Sequence, residues 1–80
     1  MKDKKELLEQ LRDDNFYTLL AREIDLAYHE EILIPRHKKI KKKKEREQRL
    51  GIDMTQVGNL GILIEDLNGI VRIVDRMLEE

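Results

Sequence analysis

The chain of 80 residues has no cysteine, no tryptophan and a single proline, and it lacks serine altogether. Without cysteine, disulfides and thiolate metal sites are excluded. The staples that hold small secreted domains are therefore missing, and self-association becomes the expected supplement to a core of this size. A monomer this short buries only about 60% of its unfolded surface. No apolar run approaches the roughly 20 residues that span a bilayer. The opening Met-Lys-Asp-Lys-Lys-Glu is charged and is followed by no apolar stretch. Neither export nor membrane insertion is expected, and a cytoplasmic location fits.

Residues that favour sheets are also scarce. One phenylalanine and two tyrosines stand against 41% charged residues rich in Lys, Glu and Arg, which predicts an all-α protein. The expected architecture is a single domain over 1–80 with three to four helices, assembled as a helical bundle with a coiled-coil-like last helix. No internal repeat is visible.

The formal net charge of -1 hides a strong asymmetry. Residues 36–49 hold nine basic and two acidic side chains, a net of +7, whereas residues 1–35 and 50–80 each sum to -4. A neutral total made this way describes a polar surface and not an uncharged one.

Residues 3–12 read as a short amphipathic helix capped by Asp3, with Leu7, Leu8 and Leu11 on one side. Asp13-Asp14-Asn15 reads as a break and a fresh start. From 16 to 34 the apolar residues wind into two sets. Phe16, Leu20, Ile24, Ala27 and Ile34 share a broad face with Tyr17, Ala21 and Tyr28 beside it, while Leu19, Leu26 and Leu33 form a separate heptad-spaced ridge. Pro35 either kinks this helix or occupies the first turn of another. Gly51 reads as a helix stop, and Asp53-Met-Thr-Gln56 as a capping box for the last helix.

That last helix, expected over 54–79, has the clearest periodicity. Val57, Leu60, Ile64, Leu67, Val71, Val74 and Leu78 alternate at intervals of three and four, an a/d seam expected to drive oligomerisation. Leu63, Ile70 and Met77 widen it towards a bundle. The interior glycines each cost about 1 kcal/mol relative to alanine, which close backbone packing would justify. Ile62 and Ile73 lie on another side, near Gly58 and Gly69.

Wound as a helix, the basic segment gathers Lys38, Lys39, Lys42, Lys43, Arg46 and Arg49 on one acid-free face. Such a face attracts phosphate with little sequence choice, because lysine acts as a flexible point charge and no aromatic residue offers a stacking platform. Solvation, or ordinary helical pairs such as Lys43 with Glu47 and Glu45 with Arg49, is the alternative reading. A basic helix followed by a heptad seam follows the logic of the basic-zipper class. The expected interruption at Gly51 and Asp53, and the lack of the base-reading Asn, Ala and Arg pattern, assign no family.

No catalytic or metal site is expected. Asp25, His29 and His37 do not make a metal-ligand set, and no HExxH or ExxH pair occurs. Thr18 and Thr55 show no sign of activation, and Gly58-Asn-Leu-Gly61 falls inside the heptads and not in a phosphate loop. The expected function is that of a small non-enzymatic regulatory or accessory protein, without cofactor, that binds nucleic acid or an acidic protein surface as a homo-oligomer. The alternative is a helical protein-binding module or inhibitor of bacterial or phage type.

Overall fold

The computed structural model describes residues 3–80; Met1 and Lys2 of the expected 1–80 domain lie outside the described residues. The chain is a helical hairpin, a rod of 58 × 18 × 15 Å. Its first leg joins α1 (Lys4–Tyr28), a π-helical turn (His29–Leu33) and α2 (Ile34–Lys38) end to end. After a short turn, α3 (Lys43–Glu79) returns along the first leg. At 1.5 Å per residue its 37 residues account for the whole length of the rod. No strand occurs among the described residues, and no helix is long and apolar enough to cross a membrane.

Asp3 caps α1 as expected, its carboxylate accepting from the Glu6 amide at 2.8 Å. The expected break at Asp13-Asp14-Asn15 does not occur. Asn15 donates to the Leu11 carbonyl at 2.8 Å and Thr18 to the Asp14 carbonyl at 3.0 Å, so these polar groups bond back along the helix without ending it. The first leg thus runs unbroken past this point, and the three α-helices and the π-helical turn are arranged as two long legs.

The legs meet along a heptad seam. Asp53, Leu60, Leu67 and Val74, at strict seven-residue intervals on α3, are its four buried residues, and Leu19 is the one buried on α1. Leu26 and Leu33, one and two heptads beyond Leu19, are half-buried. The ridge of Leu19, Leu26 and Leu33 therefore serves the fold of a single chain. Arg12 holds the preceding heptad position and reaches Asp75 across the seam at 3.8 Å.

Pro35 explains the π-helical turn. Proline has no amide hydrogen, and in a regular helix its ring strikes the carbonyl four residues back. One extra residue in the turn relieves the clash, with the Ile34 amide bonding to the His29 carbonyl five residues earlier.

Gly51 does not stop a helix. A glycine stop needs a positive φ, and no glycine here has one. Asp53 is drawn into the seam and caps nothing, so α3 runs unbroken from the basic segment through the heptads. Close backbone packing does not explain the glycines either. A Cβ built at Gly51, Gly58, Gly61 or Gly69 would meet nothing within 4 Å.

Candidate nucleic-acid interface

The basic segment forms the closed end of the hairpin. The single helix expected over 36–49 is interrupted by a turn at 39–42. The cause is the length of the first leg: the seam ends with His37 against Asp53, and the chain must reverse there. The Lys39 amide bonds to the Arg36 carbonyl at 3.2 Å, and the Ile40 amide to the His37 carbonyl at 3.1 Å, which tightens the last turn of α2. Lys42 then swings to an extended backbone, φ -74° and ψ 114°, and α3 begins without a side-chain cap.

Two contacts hold this tip. His37 donates from Nδ1 to the Asp53 carboxylate at 2.6 Å, with Asp53 only 3% exposed. A carboxylate taken out of water needs such a partner, so the pair fixes the end of the first leg onto α3. Arg46 donates from its guanidinium to the Ile40 carbonyl at 3.1 Å, tying the loop to the first turn of α3.

The six residues of the expected helical face are therefore distributed differently. Lys38 ends α2, Lys39 lies in the turn, Lys42 precedes α3 and Lys43 opens it. All four are exposed at one end of the rod. Arg46 is half-buried and committed to the loop carbonyl, which makes it a positioning residue of the tip. Arg49 is exposed further along α3, beside a shallow depression shared with Glu45, Gln48 and Ile52. The reversal also brings Arg36, Lys41 and Lys44 to the same end. Helical winding missed these three, although the plain run of basic residues in the sequence contains them.

No acid shares the turn; Glu45 and Glu47 lie beyond it in α3. Among the described residues, none of the lysines at the tip forms an ion pair with a carboxylate, and the pairs Lys43 with Glu47 and Glu45 with Arg49 do not form. Asp53, buried against His37, and Glu45, in the first turn of α3, are the acids nearest the tip, and neither pairs with its lysines. The opening amides of a long helix add to the positive potential there. The 18 Å width of the rod matches about five base-pair steps of a duplex at 3.4 Å each.

The other singled-out residues take structural partners. His29 donates from Nδ1 to the Asp25 carbonyl at 2.8 Å, while the Asp25 carboxylate accepts from Arg22 at 3.0 Å. Thr55 bonds back to the Gly51 carbonyl at 3.1 Å. Tyr17 and Tyr28, placed by sequence beside the broad apolar face of 16–34, are both exposed. Of the a/d seam, Leu60, Leu67 and Val74 are buried against the first leg, and Val57, Ile64, Val71 and Leu78 flank them half-buried. Comparison with protein-family models, with curated proteins and with solved structures finds no match to this chain.

Proposed function

We propose that this protein is a small non-enzymatic accessory or regulatory protein that binds nucleic acid through the basic tip of its hairpin and works as a homo-oligomer. The observation that carries the reading is the cluster of Lys38, Lys39, Lys42 and Lys43 at one end of the rod, with no carboxylate among the described residues paired to it. Exposed lysines release counterions from phosphates and read little sequence, so binding is weakly selective and falls steeply with salt. Arg49 adds a further contact on one flank. Fluorescence anisotropy with generic duplex and single-stranded DNA and RNA tests this at low and physiological salt. Binding at low salt that weakens as salt rises supports the reading, and no binding at low salt refutes it.

A second reading, docking on a larger protein, draws on a different observation: the exposed apolar side of α1 from Phe16 to Tyr28. Under it, a pull-down recovers a stoichiometric protein that survives nuclease treatment. Changing Lys38, Lys39, Lys42 and Lys43 to Glu separates the two readings, because a partner gripping only the apolar side tolerates the change.

A further inference from the structure

The hairpin is too exposed for its mass. A compact monomer of 9.6 kDa presents about 5,100 Å², whereas this chain presents 6457 Å². The excess, about 1,400 Å², is larger than the roughly 800 Å² that each partner contributes to a standard stable interface. α3 exposes apolar side chains too, Ile52, Met54, Ile62 and Ile73 the most, but the aromatic part of the exposed apolar surface lies on one strip of α1. Tyr17, Ala21, Ile24 and Tyr28 follow one another at intervals of four, three and four along the side of α1 opposite the buried Leu19, with Leu20 beside them and Phe16 at the margin, where it lines a depression with Val71 and Asp75 of α3. The five large side chains among them are between 40% and 70% exposed, and they include every aromatic residue of the protein. Aromatic residues concentrated in one patch are the compositional mark of an interface.

We infer that this strip is a self-docking surface that pairs two copies of the chain antiparallel, the basic tip of each lying beside the open end of the other. The inference deepens the oligomerisation part of the proposed function by assigning its face and its orientation. Two observations select a second copy in that orientation. The strip from 16 to 28 is centred on residue 22, and the leg from Lys4 to Lys38 on residue 21, so the patch sits at the middle of the rod. A two-fold axis through it overlaps the two rods along their full length, placing Leu20 near Ile24 of the second copy. The charge pattern then decides between orientations. A parallel pair sets the +7 tip against another +7 tip. An antiparallel pair sets it against residues 3–18 and 66–80, which hold nine acidic and five basic groups and sum to -4. Asp13 and Glu31 bound the strip at its two ends as an exposed polar rim, where solvent screens their mutual repulsion.

The chain has no cysteine, so Lys41→Cys carries one nitroxide at the tip. Sedimentation equilibrium gives the oligomeric state, and electron-electron double resonance gives the tip-to-tip distance. The expected result is a dimer whose tips lie farther apart than half of the 58 Å rod. A dimer with a shorter distance overturns the antiparallel pairing while leaving self-association intact, and a monomer overturns both. Leu20→Glu tests the face. It changes a side chain exposed in the single hairpin, so helix content is retained and self-association weakens by about 100-fold. Unchanged association in this variant overturns the assignment of the strip. Should the variant unfold, the distance measurement on Lys41→Cys still decides.

Discussion

Removing the imidazole of His37 tests how the tip is built. Asp53 is 3% exposed and its carboxylate accepts the His37 Nδ1 proton at 2.6 Å. His37→Ala leaves that carboxylate in the seam without its partner. Breaking a buried pair from one side costs about 3–5 kcal/mol, and the pair's place at the end of the rod, where water can enter, puts the expected loss near the lower figure. For a chain of this size about 3 kcal/mol lowers the melting temperature by roughly 12–24 °C. The double variant His37→Leu with Asp53→Leu behaves differently. It continues the buried series of Leu60, Leu67 and Val74 by one heptad and leaves no charge behind, so its stability equals or exceeds that of the parent. Urea unfolding followed by far-ultraviolet circular dichroism, at one protein concentration for all variants, measures the three free energies. If His37→Ala lies within about 0.5 kcal/mol of the parent, as an ordinary surface change does, the pair does not hold the tip and the reasoning fails.

Other expectations follow from the seam, the glycines and the tip. Leu67→Ala removes one of the four buried apolar side chains, and urea unfolding should show a loss of about 2–5 kcal/mol. Gly58→Ala and Gly61→Ala add a methyl group that meets no atom within 4 Å, so each should stabilise the hairpin by up to about 1 kcal/mol in the same assay. Arg46→Ala, which loses the bond to the Ile40 carbonyl, should cost about 0.5–1.5 kcal/mol of stability. Lys42→Ala should leave stability unchanged and reduce the salt slope of nucleic-acid binding by about 1.

The heptads of the last helix and the ridge of Leu19, Leu26 and Leu33 were legible because periodicity reports which residues share a helix side. Periodicity does not report what that side meets. The a/d seam read as an intermolecular contact is met first by the chain's own ridge, since a reversal at 39–42 brings the two stripes together. Local signals at Asp13-Asp14-Asn15, Gly51 and Asp53 pointed to helix ends that do not exist. Each is a short polar or flexible sequence whose modest preference is overridden by the seam running past it. Asp53 shows the limit most clearly. Its spacing from Gln56 matches a capping box, and only the partner sixteen positions away, His37, explains why it is buried. The basic cluster was legible as a run of charge. Its form as a hairpin tip was not, because helical winding assumes the helix whose interruption creates the tip.

The salt dependence of nucleic-acid binding tests the central claim most directly. Titrating a labelled duplex with the parent chain over a range of salt concentrations gives the slope of log affinity against log salt. Lys38, Lys39, Lys42 and Lys43 placed on phosphates give a slope near -4 at about -0.9 per contact. The variant with these four lysines changed to Glu should show no measurable binding at low salt while keeping its helix content. Binding of the parent that is independent of salt, or equal binding by the charge-reversed variant, would contradict the account.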